Sequence, residues 1–386
     1  MGRGGAMGTL VSRRAALLGA AALGGCATTS PAGGPLSAPL QREGPLRLAP
    51  VIVQRERVIR TIAGLRPYRP AGFVVRTESF GDKSITHNYG HGGGGITLSW
   101  GSSALAVREG FDSAVRDYAV LGAGVMGLSC ARLLQQRGAR VTIYARDLPP
   151  DTTSNVAGAQ WWPTSVYSRA EASAEFLAQF AEAARLSYHR FQLMVGSRYG
   201  VRWTRNYIVS DDPISPDDPI RRGGPLEGLA PEVETLAPGE HPFGHAHVKR
   251  YTTMMIEPSI YLDALLADFL HAGGRIQVAE LRDRADVLAL PEARIFNCTG
   301  LGARALFGDE ALIPAKGQLV FLLPQPEVTY NVLGPGTTYM FPRRDGILLG
   351  GSFERNNWDL APDPAVTEAI LARHQALFAR MRSPDR

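Results

Sequence analysis

Three glycines, Gly122, Gly124 and Gly127, are spaced G-x-G-x-x-G within the run Asp117-Tyr-Ala-Val-Leu-Gly122-Ala123-Gly124-Val125-Met126-Gly127. Glycines at this spacing give a tight turn, let the backbone approach a pyrophosphate, and pack a helix closely on a strand, with the phosphates over the helix N-terminus. The motif is short, so its weight comes from its surroundings. Asp117–Leu121 reads as a short apolar strand, and the following helix runs through Arg132–Arg137 to Gly138, a C-cap residue. A second strand, Arg140–Ala145, completes a βαβ unit and ends at Arg146-Asp147. Asp147 stands where an acid would hold an adenosine ribose; the alternative is that Arg146 contacts the adenosine part. The spacing serves NAD and FAD equally.

Other chemistries find less support. His87 and His91 flank a glycine run, Gly90 and Gly92 to Gly95, but no Cys or acid lies at metal-ligand spacing. They read as loop-packing residues, and no metal site is expected. Cys130 and Cys298 each fall in apolar company and read as packed small residues rather than a redox pair. The net charge of +5 owes three of its arginines (Arg3, Arg13, Arg14) to residues 1–26, which carry no acid. Without them, 38 basic residues face 36 acidic ones, which is no electrostatic footprint for nucleic acid. A length of 386 residues predicts two to three units of ordinary domain size, enough to bury a cofactor. No apolar run approaches the ~18 residues of a membrane span.

Residues 11–26 carry the layout of a bacterial export signal: a basic pair, a small apolar stretch and a small-residue cleavage context. Ser12-Arg13-Arg14 is of twin-arginine type, and Leu23-Gly24-Gly25-Cys26 has the form of a lipobox, with Cys26 the lipidated residue. An exported, envelope-located protein attached to the membrane through Cys26 is expected. Residues 27–50, with five prolines among Gly and Ser, read as a disordered linker.

Downstream of the βαβ unit, Thr152-Thr153-Ser154-Asn-Val-Ala-Gly158-Ala159-Gln-Trp161-Trp162-Pro163 resembles the D-amino-acid oxidase family of FAD enzymes. Asn297-Cys298-Thr299-Gly300-Leu-Gly302 resembles the family's later FAD-binding strand and turn, and Lys316-Gly317-Gln318 its R-G-Q segment. Tyr339-Met-Phe-Pro-Arg343-Arg344-Asp-Gly-Ile-Leu-Leu-Gly350-Gly351 resembles its active-site hairpin, with Asn357-Trp358-Asp359 just beyond. These matches cover nearly everything after residue 50.

One feature of the order departs from that family, whose chain normally begins with the glycine-rich strand–turn–helix. Here 116 residues precede it. Within them, Ala63-Gly-Leu-Arg66-Pro-Tyr-Arg69-Pro resembles the family's substrate-arginine segment. His87-Asn-Tyr-Gly-His91-Gly92-Gly93-Gly94-Gly95-Ile96-Thr97 resembles its C-terminal flavin loop. Each element occurs once, so the order is that of a circular permutation, joined through about Glu109–Arg116 and opened between a strand at 57–62 and a helix at 365–382. Domain termini lie close enough at the surface to allow this. The expected architecture is α/β: a Rossmann-type FAD-binding domain (79–165 and 256–312) interleaved with a mixed-sheet substrate domain of α+β character (51–78, 166–255 and 313–360), and a helix at 361–386.

The resemblance implies FAD as cofactor and a D-amino acid as substrate. The reaction would be oxidative deamination by hydride transfer from Cα to flavin N5, with dioxygen reoxidising the flavin and yielding hydrogen peroxide. Arg66 would clamp the substrate carboxylate through a planar fork that Lys cannot copy. The Tyr339 hydroxyl would help hold it, and the Gly93 carbonyl would receive the amine. Gly122, Ala123, Gly124, Val125, Met126, Gly127, Arg146, Asp147, Thr152, Thr153, Ser154, Gly158, Ala159, Thr299 and Gly300 would bind the cofactor. Gly92, Gly94, Gly95, Ile96 and Thr97 would approach its flavin. Vertebrate members carry a second tyrosine on a lid four residues before the hairpin tyrosine; Pro335 stands there, so that lid is not expected. A D-aspartate oxidase would need a further cation from Arg202, Arg205, Arg343 or Arg344. Two more readings stay open: a glycine or sarcosine oxidase, and a non-catalytic exported binding protein. No oligomeric state is assigned.

Overall fold

A computed structural model describes residues 46–158, 160–214, 224–229 and 233–382. The export signal, Cys26, most of the linker and Ala159 lie outside the described residues. The described residues belong to one compact unit.

The chain opens with β1 (Val58–Tyr68), β2 (Val74–Phe80), β3 (Lys83–Tyr89), α1 (Gly95–Gly110), β4 (Asp117–Leu121), α2 (Val125–Gln136) and β5 (Arg140–Ala145). It continues through α3 (Ala174–Gln192), β6 (Val201–Ser210), β7 (Glu234–Leu236), β8 (His247–Ile256), α4 (Pro258–His271), β9 (Arg275–Val278), α5 (Arg284–Leu288), β10 (Arg294–Asn297) and α6 (Gly302–Phe307). It closes with β11 (Ile313–Leu322), β12 (Tyr330–Leu333), β13 (Tyr339–Arg343), β14 (Gly346–Gly350), β15 (Glu354–Arg355) and α7 (Pro364–Ala379).

Two sheets organise these elements. The six-stranded sheet runs β2-β3-β10-β4-β5-β9, with all neighbours parallel except the antiparallel β2–β3 edge. Its central strands are buried, as parallel strands covered on both faces require. On one face α1, α2, α3 and α4 enclose an apolar core that includes Leu98, Leu128, Phe180 and Leu262. On the other, Ile85, Leu121, Ile295, Val287 and Leu306 pack together. The nine-stranded sheet runs β1-β11-β14-β13-β12-β6-β8-β7, with β15 also on β11. It is antiparallel except where β12 meets β6.

Local signals account for the helix boundaries. Ser173 accepts from Phe176 N at the start of α3, and Asp363 accepts from Ala365 N ahead of Pro364 at the start of α7. Gly138 adopts φ +84 just beyond α2, the left-handed conformation a helix C-terminus uses.

Two expectations are corrected. Residues 46–50, placed in the linker by their prolines, lie along the nine-stranded sheet. Leu46 N donates to Glu240 O, Tyr330 Oη donates to Ala49 O, and Leu46 and Leu48 pack on the core that holds Val51, Val53 and Ile370. Apolar residues between the prolines outweigh their disordering effect. The change of sheet falls between Tyr68 and Val74, so residues 74–78 belong to the six-stranded sheet as β2, because Val74–Phe80 ladder onto β3. Among the described residues no helix is long and apolar enough to cross a membrane, and no group of three or more His, Cys, Asp or Glu could hold a metal ion.

Candidate active site

A cavity of about 1340 Å³ lies between the C-terminal ends of the parallel strands and one face of the nine-stranded sheet. Its first wall is the turn from β4 into α2. Gly122 takes φ +94, and a Cβ there would stand 2.8 Å from Cys298 O on the neighbouring chain segment. Gly122, Ala123, Gly124, Val125 and Met126 line the cavity. Gly127 does not. It packs on the Gly122 carbonyl, where a Cβ would collide, which is the helix-on-strand role of the third glycine. The N-terminus of α2 therefore faces the cavity with its free amides. Ser154 Oγ accepts from one of them, Val125 N, at 3.1 Å.

Thr152, Thr153, Ser154 and Gly158 continue this wall, and Arg146 and Asp147 line it at the end of β5, joined to each other by a hydrogen bond of 2.8 Å. Thr299 and Gly300 line the cavity beside the Gly122 turn, just past the end of β10. Asn297 Oδ1 accepts from both Thr299 N and Thr299 Oγ1 (2.7 Å), so the last residue of β10 shapes the turn. The structure adds Ala279–Arg282, which reach the cavity because β9 extends the sheet beyond β5 and Ala279 N donates to Ala145 O.

The third wall is the glycine run ahead of α1. Gly92, Gly93, Gly95, Ile96 and Thr97 line the cavity. Gly94 is turned away, and a Cβ on it would meet Val166 at 2.6 Å and Leu98 at 3.2 Å. Gly93 N donates to Ser165 O at 3.1 Å, tying the run to the segment after Trp162. His91 packs the loop as expected of it: its ring stacks on Phe73 at 4.7 Å and Nε2 meets Ser102 Oγ at 2.9 Å. Burial holds its pKa down at about 3, so this imidazole is neutral. His87 Nδ1 meets Asn297 Nδ2, and burial lowers its pKa against the pull of Glu78.

The fourth wall belongs to the nine-stranded sheet. The strand expected at 57–62 runs on through Tyr68, which puts Arg66 on β1 opposite Ala315 of β11. Tyr339 opens β13 opposite Gly350 of β14. Both line the cavity, in one sheet with two strands between them. Arg66 Nη1 donates weakly to Ser352 O at 3.5 Å, and the guanidinium lies 5.6 Å from the Phe353 ring centroid. Burial pushes the Tyr339 hydroxyl above its ordinary pKa, and the adjacent Arg66 guanidinium pulls it part of the way back.

Apolar side chains surround this pair: Leu319, Leu333, Phe341, Trp162 and Phe353, with Trp358 and Leu360 at the rim. Trp358 stands within Asn357-Trp358-Asp359, but only the folded chain shows that it borders the cavity. The four candidate side-chain cations are elsewhere. Arg343 is buried in a pair with Asp345 and donates to Ala157 O, and Arg202 pairs with Glu257. Neither of them, nor Arg205 or Arg344, lines the cavity. Cys130 and Cys298 are both free and buried.

The fold is thus that of a Rossmann-type nucleotide-binding protein with a second sheet closing over the ligand cavity. The sequence profile of the DAO family, FAD dependent oxidoreductase, matches residues 117–386. A D-amino-acid oxidase of Rubrobacter xylanophilus is 33% identical over 276 residues, covering 68% of this chain and 77% of that protein. One of Streptomyces coelicolor is 32% identical over 264 residues, covering 67% and 76%. Among solved structures, glycine oxidase from Geobacillus kaustophilus superposes with a TM-score of 0.53 at 17% identity, over 70% of this chain and 81% of that one, a likeness of fold. The chain belongs to the DAO family of FAD-dependent oxidoreductases.

Proposed function

We propose that this protein is an FAD-dependent oxidase of D-amino acids, converting substrate, water and dioxygen to a 2-oxo acid, ammonia and hydrogen peroxide. The observation that carries the reading is that Arg66 and Tyr339 meet on the wall of a cavity that the glycine-rich turn also lines. The cavity fits the cofactor. Its volume exceeds the roughly 300–1,000 Å³ of an ordinary ligand pocket. Gly122 also lets the turn pack against the chain after β10, where a Cβ would meet Cys298 O, while the α2 N-terminus lines the cavity. FAD bound there supplies the two-electron acceptor.

The chain's own residues do the rest by orientation. The Arg66 guanidinium donates two parallel hydrogen bonds to the substrate carboxylate, and the Tyr339 hydroxyl donates to the same group. The Gly93 carbonyl accepts from the amine. Three fixed points leave Cα one orientation, and only one enantiomer then turns its Cα–H toward the cofactor wall. No side-chain base is required, and His91 is committed to Ser102 and Phe73. With none of the four candidate arginines on the cavity, a neutral side chain fits better than D-aspartate. Supplying D-alanine, D-aspartate, glycine and L-alanine in turn, with 2-oxo acid and peroxide measured together, tests the proposal. Turnover of D-alanine well above the others supports it, and peroxide from none of them overturns it.

We further propose that the chain is a circular permutation of its family's order, with the FAD-binding and substrate domains interleaved. What supports the permutation is where the ends of the folded body lie. Leu46 N donates to Glu240 O and Arg382 N donates to Pro242 O, so both ends rest on one three-residue segment. β1 and β3, which precede the matched residues, supply strands to both sheets. Export, and attachment through a lipidated Cys26, are proposed from the N-terminal motif and tested by fractionating cells that express the Cys26→Ala chain.

A further inference from the structure

Arg66 stands on β1 and Tyr339 on β13, with β11 and β14 between them. Strands lie about 4.8 Å apart, so three steps separate the two backbones by roughly 14 Å. Side chains on a sheet ordinarily stand perpendicular to it. Two that stood upright at this separation would not share one carboxylate; they must lie down across the strands between. The residues beneath them are glycines. A Cβ built on Gly317 of β11 would stand 2.5 Å from Arg66 Cζ, with the guanidinium nitrogens nearer still. A Cβ on Gly350 of β14 would stand 2.5 Å from Tyr339 Cε1, inside the ring's contact distance. Neither glycine has a positive φ, so no left-handed conformation requires glycine at either position. Space does. Gly317 and Gly350 lie on neighbouring strands, joined through Leu319, which pairs with Gly350.

We infer that Gly317 and Gly350 are positioning residues that lay Arg66 and Tyr339 flat across the sheet, so that the guanidinium and the hydroxyl converge on one monocarboxylate. The inference rests on the carboxylate role proposed for Arg66. It explains why the middle residue of Lys316-Gly317-Gln318 is a glycine although its neighbours carry long side chains. Lys316 and Gln318 point to the opposite face, where Lys316 Nζ donates to Ala361 O and Gln318 Nε2 to Asp363 O. At Gly317 the atoms in the way are the far end of a flexible side chain, so Gly317→Ala folds and displaces the guanidinium instead.

The test titrates the FAD-loaded full chain with benzoate, a monocarboxylate with no α-hydrogen to lose, by calorimetry, and records Tm alongside. Gly317→Ala is expected to weaken benzoate binding at least tenfold with Tm nearly unchanged, and to raise KM for D-alanine more than it lowers kcat. In an Arg66→Ala background, where the methyl group has nothing to displace, Gly317→Ala should have no further effect. Gly350→Ala should act likewise through Tyr339, and if that variant does not fold, the Gly317 cycle decides alone. Undiminished benzoate affinity in Gly317→Ala, while Arg66→Ala loses it, overturns the inference and leaves the carboxylate role standing. Undiminished affinity in Arg66→Ala overturns that role, and the inference with it.

Discussion

At the scale of single residues, the proposed function rests recognition of the substrate on Arg66 and Tyr339. Truncating a buried member of an arginine–carboxylate pair costs about 2–5 kcal/mol, so Arg66→Ala should lower kcat/KM by roughly thirtyfold to several-thousand-fold. Arg66→Lys should recover little of this, because an ammonium offers no planar fork. Tyr339→Phe removes one hydrogen bond to a charged carboxylate and should cost about 1.5–3 kcal/mol. Steady-state kinetics with D-alanine check all three; an Arg66→Lys enzyme near parental activity would contradict the bidentate arrangement. That both residues belong to the cavity was legible from the motifs around them. Gly317 was not, since its function depends on a side chain that β1 brings over it from some 250 positions away in sequence.

At the scale of elements, the rim of the cavity depends on a buried lysine. Lys316 is 2% exposed, and its ammonium donates to Ala361 O at 2.8 Å and lies 3.6 Å from Asp359 Oδ2. Gln318, two residues along the same strand, accepts from Asp363 N at 2.7 Å. Together they fasten the segment that carries Trp358 and Leu360 against the sheet. Lys316→Met should loosen that segment, raising KM several-fold while kcat stays within about twofold, at a stability cost of about 1.5–3 kcal/mol for the charged hydrogen bond. A Lys316→Met enzyme with parental KM would show that the rim needs no such anchor. The elements nearest the glycine motif were readable because β4, α2 and β5 are consecutive and their signals local. Ala279–Arg282 and the Trp358 segment join the site through strand pairing and a buried side chain, for which a sequence carries no local mark. Composition also misled at 46–50, where Leu46 and Leu48 find a core that proline content does not reveal.

At the scale of the whole molecule, stability should fall as acid is added. His87, His91, His241, His245 and His374 are all buried, and burial lowers the pKa of each. The unfolded chain then binds protons that the folded chain does not. Stability is therefore complete above the ordinary value of 6.5 and lost as pH falls toward the folded values, about 3 for His91. The slope is about 1.4 kcal/mol per pH unit for each proton of difference. Tm should be level above pH ~7 and fall between about 6.5 and 5, before most carboxylates titrate, and His91→Gln should flatten the fall. A Tm constant across that window would contradict it. The proposed permutation makes a separate prediction. Because Leu46 and Arg382 rest on the same segment, a chain starting near Asp117, with residues 46–112 attached by a short linker after Arg382, should fold and turn over D-alanine within about tenfold of the parent. An insoluble product would count against it.

Whether the cavity seats a D-amino acid by its carboxylate for oxidation at Cα is decided most cleanly without oxygen. The purified FAD-loaded protein and its Arg66→Ala variant are mixed anaerobically with D-alanine and with L-alanine while the flavin absorbance is followed. Bleaching of the parent by D-alanine alone, slowed at least thirtyfold in Arg66→Ala, is the expected outcome. A yellow protein that neither enantiomer bleaches, or one bleached equally well with and without Arg66, would refute the assignment.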